Sequence, residues 1–193
     1  ETFLPVPSLA QGLASRGVVT VSLTHKSLTT TPLSRMHFRG AKETRGYSYA
    51  SDFWVLLRQV LSDYRQRRLF VSGYWSAVDT LAHKHGPEDV TEEAEIRSIA
   101  LLMKDIFLNH LTAEDRKGTL LLMTADHGQI RTPAAETVVY ADHPDLRDLL
   151  WLPPVGEGRV PFFHVRDGAY ERALAYLEQH FGEQFVFLSR QQV

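Results

Sequence analysis

The sequence predicts an α/β fold on a mostly parallel sheet, and three observations carry that prediction. Short β-branched or apolar runs at 18–23, 69–75 and 119–124 alternate with helix-patterned stretches, the order of βαβ units. The last run, Thr119-Leu120-Leu121-Leu122-Met123-Thr124, is apolar almost throughout, as expected of a central strand covered on both faces. The chain has 193 residues, 44% of them hydrophobic and 23% charged, enough to bury a core without covalent staples.

Each element has a local reason. Pro7-Ser8-Leu9 opens a short helix that stops at Gly17. Val18-Val19-Thr20-Val21-Ser22-Leu23 is a short β-branched strand. Residues 25–49, rich in Thr, Ser, Gly and Arg, read as a long loop of a length that is often functional. Ser51 or Asp52 caps the next helix, whose apolar positions Phe53, Trp54, Leu57, Val60, Leu61 and Tyr64 recur at helical spacing. Arg65, Arg67 and Arg68 suit the negative end of its dipole. Leu69 to Trp75 is the second strand, and the polar segment 76–90 follows it. Thr91-Glu92-Glu93 starts a helix with the stripe Ile96, Ile99, Ala100, Met103, Ile106 and Phe107, and strand 119–124 then runs into Ala125-Asp126-His127-Gly128.

At Leu152-Pro153-Pro154-Val155-Gly156-Glu157-Gly158 the character changes to that of a linker. A strand at 161–166, a helix at 169–180 stopped by Gly182 and a strand at 184–188 would make a small β-α-β subdomain. Two domains are expected, a core over 1–152 and an α+β subdomain over 153–193. Glu1 in place of Met, and a last strand without a clear terminator, are what a piece of a larger protein would show.

Composition excludes several classes. With 21 Lys and Arg against 23 Asp and Glu, the net charge of −2 leaves no basic excess for binding a nucleic-acid duplex. The absence of cysteine removes disulfides, thiolate metal sites and cysteine nucleophiles. No apolar run approaches the roughly 18 residues of a membrane span, and no signal-peptide pattern is present. Localisation and oligomeric state stay open.

Two segments carry chemistry: Val78-Asp79-Thr80-Leu81-Ala82-His83-Lys84-His85-Gly86-Pro87 and Thr124-Ala125-Asp126-His127-Gly128. Each follows a predicted strand, and open α/β sheets bind ligands beyond the carboxyl ends of their strands. Each brings one carboxylate and one imidazole. Such a set can hold a divalent metal, with ligand distances of about 2.0–2.2 Å for zinc. Asp79 and His83 are four apart, so one helical turn or a compact loop brings both to one ion. Asp126 and His127 point different ways from a tight turn and could serve two ions, which in two-metal sites lie roughly 3.5–4 Å apart. Gly128 would let the backbone turn sharply there. The competing reading makes each Asp-His pair a helix cap; two such pairs, each after a predicted parallel strand, weigh toward metal.

These residues resemble the type I phosphodiesterase/nucleotide pyrophosphatase branch of the alkaline phosphatase superfamily. Its Asp-x-x-x-His-x-x-Gly-Pro segment is matched from Asp79 through His83 to Gly86-Pro87, and its Thr-x-Asp-His-Gly segment from Thr124 to Gly128. The resemblance implies an alkaline-phosphatase-like sandwich with helices flanking the sheet, two divalent metal ions (zinc, with manganese the alternative) and a small phosphodiester or nucleotide substrate. It implies that Asp79 and His83 bind one metal and Asp126 and His127 the other. A nucleophilic hydroxyl would attack phosphorus, and water would release the covalent phosphoryl-enzyme. The family's Thr or Ser nucleophile with its Asp, expected upstream, and its last metal-binding His have no match here. His143 and His164 lack the expected context and are assigned no role. The implied fragment is inactive alone, and its parent is a hydrolase of phosphodiester or pyrophosphate bonds.

Other residues carry weaker signals. Thr24, Ser27, Thr29, Thr30 and Thr31 include possible nucleophiles but read better as a polar loop. His37, Arg39 and Lys42 could meet a phosphate, though a solvated loop is the better reading. Tyr47, Tyr49, Phe53 and Trp54 could floor a nucleoside pocket, but Phe53 and Trp54 fit the helix core. His85 sits beside the metal motif without matching a ligand, and His25, His110 and His180 have no partner in the sequence. Two alternatives remain: a phosphoryl mutase of the same superfamily, of phosphoglycerate mutase or phosphopentomutase type, and a noncatalytic α/β binding module. The run from His83 to Pro87 favours the diesterase over the mutase.

Overall fold

In the structure, a computed structural model that describes residues 5–193, the chain divides into two units at Arg131 and Thr132. The Pro-rich stretch 152–158 lies inside the second.

The first unit is built on a three-stranded parallel sheet of order β2-β1-β3, with β1 at Val19–His25, β2 at Glu43–Tyr47 and β3 at Leu69–Gly73. The alternation of β1 sorts its side chains onto two faces. Val19, Val21 and Leu23 enter the apolar core, while Thr20, Ser22 and Thr24 are buried on the other face. Helix α1 (Leu9–Ala14) starts at Ser8, whose hydroxyl accepts from the Gln11 amide while the Gln11 side chain accepts from the Ser8 amide.

Residues 25–49 are not a loop. They hold a 3₁₀ turn at Lys26–Leu28, helix α2 at Pro32–His37 and edge strand β2. Thr31 caps α2, with Pro32 opening it. The sequence Glu43-Thr44-Arg45-Gly46-Tyr47 hides β2 because an edge strand needs few apolar residues. Arg45 instead reaches Glu43 Oε1 and Asp63 Oδ2, both at 2.7 Å.

Helix α3 (Ala50–Asp63) buries Phe53, Trp54, Leu57 and Val60 against the sheet, as its spacing predicts. Its N-cap is Tyr49 rather than Ser51 or Asp52 and makes no side-chain cap bond; Asp52 Oδ2 instead accepts from the Ser48 amide at 2.9 Å. Segment 76–90 is mostly helix α4 (Ala77–His85), followed by α5 (Val90–Leu102), which Asp89 caps. The α5 stripe is only partly inward, since Ile96 and Ala100 are exposed. A π-helical turn at Met103–Phe107 rotates the face, and Phe107 ends buried 5.7 Å from the Trp54 ring. The short helix α6 (Ala113–Arg116) carries a capping box between Thr112 and Asp115.

The predicted central strand 119–124 does not form. Leu120 and Leu122 are each 79% exposed, and among the described residues β3 pairs with β1 alone. An apolar run specifies burial; a parallel strand also needs a backbone ladder, and none is offered to this one.

In the second unit, helix α7 (Pro144–Leu149) and helix α8 (Tyr170–Phe181) pack through Leu146, Leu150 and Leu177. The strands are an antiparallel hairpin, β4 (Val155–Glu157) and β5 (Val160–Phe162), and a bridge joins Leu150 to Val165. The predicted β-α-β order is therefore corrected. Residues 184–188 form no strand, because β4 and β5 pair with each other, and Phe187 serves as an apolar anchor on the α7–α8 core.

Candidate functional site

The site lies beyond the carboxyl end of β3, where the chain turns into α4. Three contacts hold that turn. The Tyr74 amide donates to Leu23 O at 2.9 Å, Tyr47 Oη donates to Tyr74 O at 2.8 Å, and Trp75 Nε1 donates to Glu95 Oε1 at 2.9 Å. The Tyr47 and Trp75 rings stack at 5.0 Å, and burial, with Tyr74 adding to it, pushes the Tyr47 phenol up to about 12. Tyr47, Phe53 and Trp54 are core residues that support the site rather than floor a pocket, and Tyr49 is exposed.

Helix α4 sets Asp79 in its first turn and His83 in its last, four apart on one face, with His83 Nε2 3.4 Å from Asp79 Oδ1. Gly86 ends the helix at φ 91°, ψ 155°, a conformation open essentially to glycine alone, which explains the Gly before Pro87.

The Asp126–His127 turn comes to the same place. His127 Nε2 lies 3.9 Å from Asp79 Oδ1 and 3.9 Å from Asp126 Oδ2. His127 Nδ1 lies 3.0 Å from Gly128 O, and since a carbonyl only accepts, that nitrogen carries the proton. Nε2 is the ring nitrogen on the side of the two carboxylates. Gly128 takes no left-handed backbone, and a Cβ there would meet nothing within 4 Å, so the expected glycine-dependent sharp turn is corrected.

His83 and His127 thus approach one oxygen of Asp79, and Asp126 joins through His127. The donor set, two carboxylates and two imidazoles, suits zinc or manganese in kind. Among the described residues, however, no three His, Asp or Glu side chains are spaced so that they could hold an ion. Gln129 completes the cluster, donating from Nε2 to Asp79 Oδ1 at 2.6 Å. Reading the sequence by ionisable residues missed it; its place directly after Asp126-His127-Gly128 was the available signal.

The weaker sequence candidates have structural work. Thr31 caps α2, Thr29 Oγ1 donates to Lys26 O at 2.9 Å, and Ser27 pairs with His25 Nδ1 at 2.8 Å. Arg39 donates to Val6 O and Gln11 Oε1. His85 is exposed. In the second unit His143 Nδ1 lies 2.9 Å from Tyr176 Oη, and His164 O accepts from the Trp151 amide.

Comparison with known proteins adds one match. The sequence model of the type I phosphodiesterase / nucleotide pyrophosphatase family matches residues 11–190, nearly the whole chain. No curated protein and no solved structure matches. The family match spans both units, and both motifs fall within it beside the same carboxylate. The chain belongs to the type I phosphodiesterase / nucleotide pyrophosphatase family.

Proposed function

We propose that the protein containing this chain is a metal-dependent hydrolase of phosphodiester or pyrophosphate bonds in small molecules such as nucleotides. Family membership supports a hydrolase. The observation that carries the metal reading is the approach of His83 Nε2 and His127 Nε2, from two separate motifs, to Asp79 Oδ1. Asp79, His83, Asp126 and His127 are the proposed ligands of two ions, and they would have to draw together to hold them, since as placed no three of them could. When bound, such ions stabilise negative charge on attacking and leaving oxygens of the phosphoryl group.

The chain's own residues supply placement. α4 fixes the spacing of Asp79 and His83, and the Gly128 carbonyl lies 3.0 Å from His127 Nδ1 and orients that ring. The cluster is open to solvent, as a small phosphodiester would require. The family resemblance implies an attacking hydroxyl upstream of both motifs, so these four side chains are proposed as metal ligands alone.

Hydrolysis of a nitrophenyl phosphodiester by the complete protein tests this. The expected result is loss of activity on chelation, recovery with zinc or manganese, and activity at least about tenfold lower in Asp126→Ala and His83→Ala. Activity unaffected by chelation and by both substitutions would overturn the proposal.

A further inference from the structure

We infer that the outward face of α5 is a self-association surface, on which a second copy of this chain packs its own α5 antiparallel about a two-fold axis. The inference is independent of the metal reading.

A surface helix normally carries one apolar stripe, turned toward the core. α5 carries two. Ile99 and Leu102, with Met103 after them, pack against the core of the first unit. On the outward side Val90 is 74% exposed, Leu101 54% and Ile96 53%, and Ala94 and Ala100 are exposed with them. Residues 90, 94, 97 and 101 step by four, three and four, so they line one face of the helix. Single exposed apolar side chains are ordinary, but a row of them rimmed by polar groups marks an interaction site.

Shape and charge both indicate that the occupant is the same helix. Val90 and Leu101 border a shallow groove of about 370 Å³, and the small Ala94 and Ser98 lie between them. An antiparallel second copy sets its Leu101 against Val90 and its Val90 against Leu101. Ala94 then meets its own counterpart near the axis, where a small side chain lets the helices approach closely. Glu93 and Arg97 lie on the same face, paired with each other at 2.7 Å and each 70% exposed. In the antiparallel arrangement Glu93 of each copy lies across from Arg97 of the other, so opposite charges meet twice. A parallel arrangement would set Glu93 against Glu93 and Arg97 against Arg97. A two-fold interface uses one patch twice and must be complementary to itself. The outward face of α5 meets that condition in its apolar ends and in its charged pair.

A single helix of 13 residues, about 20 Å long, makes a small interface, so the dimer is expected to be weak. Sedimentation equilibrium of the complete protein tests it for wild type, Glu93→Arg, Arg97→Glu and an equimolar mixture of the two variants. The wild type is expected to dimerise by about 100 μM. Each variant alone is expected to associate at least about tenfold more weakly, because like charges then face each other. The mixture is expected to recover the dimer, since a face with two arginines then meets a face with two glutamates. A monomeric wild type would overturn the inference and would mean that no second copy covers this face. Dimers insensitive to both substitutions would also overturn it, because association would then use another surface. So would loss in both variants without recovery in the mixture, which would trace the effect to the broken Glu93–Arg97 pair within each helix.

Discussion

Asp79 is the residue on which the site converges, and its surroundings show how single side chains are assigned work in this chain. One oxygen takes the Gln129 amide and faces two imidazoles. At the opposite edge of the sheet, Arg45 plays the matching structural part, donating to Glu43 and Asp63, while Tyr64 Oη donates to Glu43 Oε1 at 3.0 Å. The Arg45 hydrogen bond, reinforced by that from Tyr64 and opposed by partial burial, holds the Glu43 carboxyl below its ordinary value of 4.5. A lowered folded pKa makes the contribution complete above the ordinary value and removes it as pH falls through the folded one. Glu43→Gln is therefore expected to cost about 0.5–1 kcal/mol near neutrality, as partly exposed ion pairs do. The difference from wild type should shrink on acidification, read from urea unfolding at several pH values. A difference independent of pH would contradict this role. At this scale the sequence was informative about ionisable residues and silent about their partners. Asp79, His83, Asp126 and His127 stand in two short motifs, whereas the bond from Gln129 joins residues fifty positions apart and leaves no local periodicity.

Among the elements, α3 was legible because burial imposes a helical period on its apolar residues. Trp54, 4% exposed, packs on Phe53 and Phe107. Truncation to Ala is expected to cost about 3–5 kcal/mol. Leu122, apolar but 79% exposed, should behave oppositely: Leu122→Lys is expected to change stability by less than about 0.5 kcal/mol and to raise solubility. Denaturant melts and light scattering on both variants check the pair, and a loss of several kcal/mol in Leu122→Lys would mean that 119–124 is packed. The elements missed in the sequence failed for physical reasons. β2 is an edge strand whose charged residues pair with one another, and α2 and α4 are short helices rich in polar residues. Strands 119–124 and 184–188 were inferred from apolar content, which reports a tendency to be buried and says nothing about whether a neighbour offers a ladder.

For the whole molecule, the two units have separate cores, one on the parallel sheet and one between α7 and α8. The candidate site belongs to the first unit, so its chemistry can be examined on residues whose placement depends on β3 and α4. Among the described residues no helix is long and apolar enough to cross a membrane. The central proposal is that motifs from helix α4 and from the Asp126–His127 turn share a metal site. Zinc titration of the chain, followed through the imidazole NMR signals of His83 and His127, tests it most directly. The expected result is two ions bound per chain, with both imidazoles shifting at Nε2 and the response lost in Asp79→Ala. Imidazole signals that ignore zinc, or that respond equally in wild type and Asp79→Ala, would contradict it.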